Sequence, residues 1–283
     1  MRYDAGHDWH DSTSGAPRGV AFPRFSPAVK WLIIVTVAMF VVQIYFRSAQ
    51  KIDLSRTLGV MPRAVVERLH VWQVFTYMFL HSTDSGHIIH IVINMLFVYW
   101  FGTELDRMLG RGRFLTLYLG GGLAGGIAYA VTQYFVGMKN PAIGASAAVM
   151  AILVVYALYF PDRTVYLFFS IPMKVKWFVA GVIAIDLAYS TTAYADGVAH
   201  TAHLGGALFG LLYWRLRARV ERFFDGWADR HRDRAAQSNA ADEKRLDDIL
   251  SKIHRDGFDS LSSREREFLV EQSRRRRDRG YRG

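Results

Sequence analysis

The stretch Gly144-Ala145-Ser146-Ala147 opens an apolar segment, residues 140–160, that is long enough to cross a membrane as a helix. Five further stretches of similar length carry few or no charged residues. They are residues 31–46, about 87–103, 114–136, about 177–195 and about 197–214. A helical span needs about 20 apolar residues. The sequence therefore predicts an all-α, polytopic membrane protein, a six-transmembrane helix bundle with a small cytoplasmic helical tail.

The net charge of +10 is concentrated at the two ends of the chain. Arg215 and Arg217 follow the last span, Arg274–Arg277 close the chain, and Lys30 precedes the first span. Because basic residues mark the cytoplasmic side, both termini are predicted to be cytoplasmic. The expected location is the bacterial inner (plasma) membrane, as an integral, multi-pass protein. The same arginines attract anionic lipid, so membrane lipid is an expected partner and nucleic acid is not.

The polar and apolar segments divide the chain into three predicted parts. Residues 1–30 form a cytoplasmic N-terminal segment. Residues 31–217 form the six-span membrane domain, whose long outer loop covers residues 48–86. Residues 218–283 form a basic cytoplasmic tail. The chain has no cysteine, which excludes disulfides, thiol catalysis and thiolate metal sites.

Four polar side chains are predicted at one depth of the bilayer. His90 and Asn94 lie near the outer end of the second span, and Ser146 and His203 begin the fourth and sixth spans on the same side. Polar groups in hydrocarbon are costly, so several at one level indicate a site. The third and fifth spans are expected to contribute nothing ionisable there, since Asp186 falls near the middle of the fifth span.

Serine, histidine and asparagine are the residue types that hydrolytic acyl transfer uses as nucleophile, base and oxyanion donor. His90 and Asn94 are four residues apart and share a helix face. Small residues favour close contact between spans: Gly206 and Gly210 form a G-x-x-x-G pair below His203, and Gly144 precedes the serine. A Ser146–His203 hydrogen bond requires such contact.

Three motifs in this order resemble the rhomboid intramembrane serine proteases. They are His90-Ile-Val-Ile-Asn94, Gly144-Ala-Ser146-Ala and Ala202-His203-Leu-Gly205-Gly206. Phe79-Leu80-His81 and the acidic–basic pair in Glu104 to Arg107 are similar too. The resemblance covers about residues 55–215.

The resemblance implies a serine endopeptidase with a Ser–His dyad and no carboxylate. Ser146 would be the nucleophile and His203 the general base, while His90, Asn94 and the Ser146 backbone N–H would form the oxyanion hole. Substrates would be single-pass transmembrane proteins, cleaved near the outer bilayer edge. No cofactor and no metal are expected.

The sequence departs from the family pattern at three places. Ala147 stands where the family often has glycine, and Trp72-Gln73 replaces a frequent Trp-Arg, which would remove a loop-anchoring cation. The interval from His81 to His90 is a few residues longer than usual, which puts a role for His81 in doubt. We expect activity to survive Ala147 because alanine is small.

The tail carries the pattern of a helical hairpin at about residues 242–273. One apolar stripe at helical spacing is formed by Leu246, Ile249, Leu250 and Ile253. Gly257 is typical of a helix end, and Ser262 with Glu265 predicts a capping box for a second helix. The hairpin is similar to a short cytoplasmic module of unknown function on some bacterial rhomboids. The hypothesis is that it docks to the bilayer or to a cytoplasmic partner.

Two other functions are open on the residues alone. A membrane metal or proton transporter would use His87, His90, His200 and His203 as ligands, with Asp186 as a relay. A catalytically weak or inactive relative would instead bind transmembrane client proteins.

Overall fold

The computed structural model describes residues 24–84, 88–167, 170–190 and 198–280. The chain divides into two compact units, Met1–Arg217 and Ala218–Gly283, and each is described by itself. In chain order the helices are α1 Pro27–Ala49, α2 Ser55–Leu58, α3 Pro62–Arg68, α4 Gln73–Thr76, α5 Ile88–Phe97, α6 Thr103–Leu109, α7 Arg111–Val136, α8 Ser146–Tyr159, α9 Val175–Ser190, α10 His200–Asp256 and α11 Ser263–Gly280. A π-helical turn at Val98–Gly102 joins α5 to α6, and short 3₁₀ turns lie at Tyr77–Phe79 and Phe258–Ser260.

Among the described residues, three helices are long and apolar enough to cross a membrane: Pro27–Ala49, Ile88–Leu109 and Arg111–Val136. They correspond to the first three predicted spans. Their exposed apolar side chains, such as Trp31 and Val41 on α1, suit a lipid environment in which the helix satisfies its own backbone groups. Length and apolar character thus bear out three of the six predicted spans.

The other predicted spans are shorter or only partly described. Residues 140–160 give α8, an apolar helix of 14 residues, because the chain before it is extended and pairs with Val60. The fifth span corresponds to α9, with 16 residues, and residues 191–197 lie outside the described residues. The sixth corresponds to the first part of α10. The six-span count stays a prediction.

The described part of the predicted outer loop 48–86 contains the short helices α2, α3 and α4 and a 3₁₀ turn. α3 and α4 pack against α7. Gln73 is buried, accepts a hydrogen bond from the Met61 N–H at 3.0 Å and donates to the Thr57 carbonyl at 3.1 Å. Gln73 thus lacks the cation that the family often has here, as expected, but it still holds the loop through hydrogen bonds to backbone groups.

Helix α8 packs against several elements of the first unit, and ten of its 14 residues, from Ala147 to Tyr156, are buried. Glycines on α7 let it approach closely. A Cβ at Gly121 would lie 2.3 Å from the Ala151 Cβ, and one at Gly125 would lie 2.4 Å from the Ala147 Cβ. Real Cβ atoms do not come this close, so the two helix backbones meet where α7 has no side chain.

Glu104 and Arg107 supply the acidic and basic residues expected after the second span, and each contacts a different part of the chain. Glu104 pairs with Arg163 at 2.5 Å and accepts a hydrogen bond from the Tyr156 hydroxyl at 2.8 Å, while Arg107 donates to the Arg24 carbonyl. Arg163 precedes a small antiparallel hairpin, β1 Thr164–Leu167 with β2 Ile171–Lys174, in which Thr164 pairs with Lys174.

The second unit contains the rest of α10 and α11. Gly257, with a φ of +81°, ends α10, and its N–H donates to the Ile253 carbonyl. The capping box is present: the Ser262 N–H donates to Glu265 Oε2 at 2.7 Å, and the Glu265 N–H donates to Ser262 Oγ at 3.4 Å. Ile249 from the apolar stripe is buried. The domain bounds read from the sequence remain predictions.

Candidate active site

Ser146 is the first residue of α8, and its position is fixed by the chain just before it. Val60 and Ala142 exchange two backbone hydrogen bonds of 3.0 Å, and the Gly144 N–H donates to the Tyr77 carbonyl at 3.0 Å. The folded loop thus holds residues 142–144 in an extended path. At the start of a helix the first N–H groups have no intrahelical acceptor, and the dipole favours negative charge there.

The backbone conformation at position 144 requires a glycine. Its φ of +124° lies in a region that L side chains rarely adopt. A Cβ at Gly144 would lie 3.1 Å from His90 Cε1 and 3.7 Å from Ser146 Oγ. The His90 ring and the serine hydroxyl therefore share the space above this glycine, as the common depth of the motifs predicts.

Ser146 Oγ and His203 Nε2 are 2.7 Å apart. This contact depends on the G-x-x-x-G pair of α10. A Cβ at Gly206 would lie 2.0 Å from the Ala147 carbonyl oxygen, and one at Gly210 would lie 2.7 Å from that of Ala151. The two glycines let α10 meet the α8 backbone directly, one turn and two turns from the Ser146–His203 pair.

Asp186 lies at the same site, contrary to the expectation that the fifth span contributes nothing ionisable there. Its Oδ1 is 3.0 Å from His203 Nδ1 and 2.7 Å from His200 Nδ1. The side chain is buried, and Oδ2 has no hydrogen-bond partner among the described residues. Sequence reasoning missed this contact because depth was judged from position along each span, not from helix rotation. The one available signal was that Asp186 is the single acid within α9.

On the other side of Ser146 lie the expected oxyanion donors. Asn94 is buried, and its Nδ2 donates to the His90 carbonyl at 2.9 Å, one turn back on the same helix. An amide nitrogen carries two N–H groups, so this bond orients the side chain and leaves a second donor. Helix α5 packs against α8, which brings His90 to Gly144.

His81 lies next to His90 on this side of Ser146. Its ring is fully buried against the His90 ring, with centroids 5.5 Å apart, and neither ring nitrogen has a hydrogen-bond partner among the described residues. Gln43 of α1 fixes its backbone, donating to the His81 carbonyl at 3.1 Å and accepting from its N–H at 3.0 Å. Burial, aided by His90, lowers the pKa of His81 to about 3, so the ring is neutral. The longer interval before His90 does not remove His81 from the site.

A cavity of about 430 Å³ reaches this region from the end of α1. His81 and Ile143 line it, together with polar and charged side chains that include Gln43, Arg47 and Asp84. A polar cavity of this size has room for ordered water. Water in this cavity would lie close to Ile143, three residues before Ser146.

The histidines of the transporter hypothesis do not come together as one set. Asp186, His200 and His203 place one ligand atom each within 4.8 Å of one another, a donor set that suits a divalent cation. His90 instead faces His81 and Gly144 on the other side of Ser146, and His87 lies outside the described residues.

The chain matches two family models. The model described as Rhomboid domain matches residues 68–219, and the model described as Family of unknown function (DUF6576) matches residues 233–275. The first match covers all of the candidate site residues, from His81 to Gly210. The second lies within the C-terminal unit.

Curated relatives are similar over the same part of the chain. Presenilin-associated rhomboid-like protein A, mitochondrial, from Danio rerio is 31% identical over 160 residues, which are 52% of this chain and 41% of the relative. RHOMBOID-like protein 12, mitochondrial, from Arabidopsis thaliana is 33% identical over 170 residues, which are 55% of this chain and 48% of the relative. Rhomboid protein 1, mitochondrial, from Saccharomyces cerevisiae is 32% identical over 145 residues, which are 47% of this chain and 39% of the relative. The chain thus spans less than half the length of these relatives.

The names of these relatives correct one expectation. All three are named as mitochondrial, so the placement in a bacterial plasma membrane is wrong by this comparison. The cytoplasmic side assigned to both termini, which was read from the basic residues, belonged to the same expected location and is corrected with it. The expectation of a membrane protein is supported.

Proposed function

This chain belongs to the rhomboid family, and we propose that it is a serine endopeptidase that cleaves transmembrane proteins near the edge of the bilayer. The observation that carries the proposal is the 2.7 Å separation of Ser146 Oγ and His203 Nε2 at the start of a buried helix. A serine hydroxyl needs an adjacent base to become a nucleophile, and this pair meets that requirement.

The proposed reaction has two steps. Neutral His203 takes the hydroxyl proton through Nε2 as Ser146 Oγ attacks the scissile carbonyl carbon, and His203 then gives this proton to the leaving amine. Water hydrolyses the acyl-serine in the second step, again with His203 as base. The chain's own side chains supply every proton transfer.

The tetrahedral intermediate places negative charge on the substrate oxygen. We assign its stabilisation to the Ser146 backbone N–H, the second Nδ2 hydrogen of Asn94 and the His90 ring. Support comes from the helix start at Ser146 and from the His90 ring next to Gly144. Donors fixed before the reaction are worth more than mobile ones because they need no reorganisation.

Water and substrate must both reach Ser146. The polar cavity near His81 is a suitable store for the hydrolytic water. A substrate helix hides its amides in hydrogen bonds, so it must unwind before cleavage. We therefore expect single-pass substrates with small or helix-breaking residues near the cleavage site.

The remaining parts of the architecture are proposed as follows. Helices α8, α9 and the first part of α10 complete a six-span bundle with the three longer spans. The C-terminal unit docks to lipid or to a protein partner, and its many arginines favour an anionic surface.

The test is cleavage of a transmembrane reporter by the purified full chain in liposomes. We expect wild-type protein to cleave and Ser146→Ala to be inactive, with Thr36→Val as a matched control for a buried hydroxyl distant in sequence from the site. A fluorophosphonate should label wild type at Ser146 only.

Two results would contradict the proposal. Cleavage that survives Ser146→Ala would exclude this serine as nucleophile. Failure to cleave several reporters, together with no labelling of Ser146, would favour an inactive family member that binds transmembrane clients.

A further inference from the structure

Asp186 joins two histidines at the proposed site, and the Ser–His dyad implied by the family resemblance gives it no task. We propose that Asp186 is a positioning residue for His203, so that Ser146, His203 and Asp186 form one hydrogen-bonded chain. The inference rests on the proposed function and adds a carboxylate to it.

The tautomer of His203 decides whether this residue can act as the base. A neutral imidazole carries one hydrogen, and only the tautomer with hydrogen on Nδ1 leaves Nε2 free to take the serine proton. Asp186 Oδ1 lies 3.0 Å from Nδ1, and Ser146 Oγ lies 2.7 Å from Nε2. A carboxylate only accepts hydrogen bonds, so its place selects the tautomer that the base needs.

The surroundings of Asp186 support a role during the reaction. Asp186 is 3% exposed on a helix whose other charged residue, Lys176, lies at its start. Its Oδ2 is without a hydrogen-bond partner in the described part of the chain. Burying an acid this way is unfavourable in the resting protein. The positive charge that forms on His203 after proton transfer is the compensating partner, as in hydrolases that pair histidine with a carboxylate.

His200 holds the carboxylate in place. Its Nδ1 is 2.7 Å from the same Oδ1, and its ring stacks on Tyr189 of α9 at 5.2 Å. Asp186 thus receives one N–H from His200 and one from His203. Because the contact with Ser146 Oγ is made by His203 and His200 holds only the carboxylate in this chain of hydrogen bonds, loss of His200 should weaken the arrangement without abolishing it.

A divalent cation is the competing explanation for the same three residues. A zinc ion would sit about 2 Å from each ligand atom and would occupy the Nδ1 lone pair of His203. The remaining hydrogen would then be on Nε2, which could no longer accept the serine proton. The observed separations of 2.7 and 3.0 Å are those of hydrogen bonds, and they favour direct contact.

The experiment compares Asp186→Asn with wild type in the full chain in liposomes. Asparagine keeps the shape of the side chain and removes the charge. We expect kcat for a transmembrane reporter to fall about 100-fold, the scale of general-base catalysis, with KM unchanged. Asp106→Asn is the matched control, because Asp106 is equally buried in the same unit but lies on α6. His200→Gln should lower kcat less than Asp186→Asn does.

A second readout does not depend on activity. Nitrogen-15 NMR of His203, assigned with His203→Gln, should show hydrogen on Nδ1 in wild type and a changed tautomer mixture in Asp186→Asn. An unchanged tautomer would overturn the proposal even if the protein cleaved no reporter. Absence of cleavage by wild type would thus contradict the proposed function alone.

Three further results would overturn it. The first is an Asp186→Asn enzyme with wild-type kcat. The second is equal inactivity and equal loss of thermal stability in Asp186→Asn and Asp186→Glu, which would mean a structural role. The third is loss of wild-type cleavage on adding a chelator and its return with zinc, which would identify a metal site. Partial recovery of kcat in Asp186→Glu supports the proposal.

Discussion

The two sides of Ser146 are built differently. On one side, hydrogen-bond distances run without a gap from Ser146 through His203 and Asp186 to His200. On the other side, Asn94 bonds to its own helix, and His81 lies buried with both ring nitrogens unpartnered in the described residues.

Under the proposed function, the difference follows from when each side acts. A base must be aligned before the reaction starts, so the partners of His203 are present in the resting protein. Oxyanion donors act on a charge that exists only in the transition state, so Asn94 is oriented by one hydrogen bond and keeps a second N–H for the substrate oxygen. We call the side with His203, Asp186 and His200 the histidine side, and the side with Asn94, His90 and His81 the asparagine side. Mutations on the histidine side should lower kcat by misaligning the base, and mutations on the asparagine side should lower it only by weakening binding of the transition state.

The largest effect should come from the histidine side. We expect His203→Gln to lower kcat by about 10⁴-fold or more, as loss of a catalytic base does in serine hydrolases. Reporter cleavage measures this, with His70→Gln in the loop as control. Cleavage within tenfold of wild type would refute His203 as the base.

On the asparagine side the effect should be smaller. We expect Asn94→Ala to lower kcat by about 10²–10³-fold with little change in KM, because one oxyanion donor is lost. Ile93→Ala, a neighbouring position on the same helix, is the control. A loss confined to KM would mean that Asn94 binds substrate instead, and the contrast between the two sides would fail.

The contact that aligns the histidine side can be opened by one methyl group. A Cβ at Gly206 would lie 2.0 Å from the Ala147 oxygen, so Gly206→Ala should lower the free energy of unfolding by about 1–3 kcal/mol and reduce kcat as α10 shifts from α8. Thermal unfolding in detergent and reporter cleavage measure the two effects. Gly181→Ala on α9 is the matched control, since nothing lies within 4 Å of its added Cβ. Equal stability of the two variants would contradict the close contact.

His81 gives the asparagine side a pH dependence of stability. Its folded pKa of about 3 is below the unfolded value of about 6.5, so the unfolded chain binds the proton first as pH falls. Stability is therefore complete above about pH 6.5 and should fall by about 1.4 kcal/mol per pH unit below it. The free energy of unfolding should therefore fall less between pH 7 and pH 5 in His81→Asn than in wild type. Identical slopes would show that the ring is hydrated and protonates freely.

The smallest effect on cleavage should come from the C-terminal unit. Hydrogen bonds from Ser262, with Lys252 nearby, lower the pKa of Glu265 to about 2. Glu265→Gln should therefore lower the protection of the Ser262 amide, measured as its exchange rate relative to the intrinsic rate at the same pH. Acidification from about pH 4.5 towards 2 should lower this protection in wild type too, and neither change should affect reporter cleavage. Glu267→Gln on the same helix is the control. A loss of cleavage in Glu265→Gln alone would show that this unit takes part in the reaction.

Sequence reasoning succeeded where the signal repeats along one helix. The i, i+4 pair His90 and Asn94, the G-x-x-x-G pair and the capping box each lie within one element, and the structure contains each of them. The first three apolar spans also follow from length and composition alone. The family followed from three such local motifs in order.

Tertiary structure alone decided the contacts between elements. Asp186 reaches His203 because of the rotation of α9, Gln73 replaces a cation because backbone groups surround it, and Glu104 meets Arg163 instead of its near neighbour. Depth along a span can be counted in residues, but rotation about the helix axis depends on the side chains that neighbouring helices present. By itself the sequence therefore determined which residues could perform the chemistry, while the packing of α7, α8, α9 and α10 decided which of them touch.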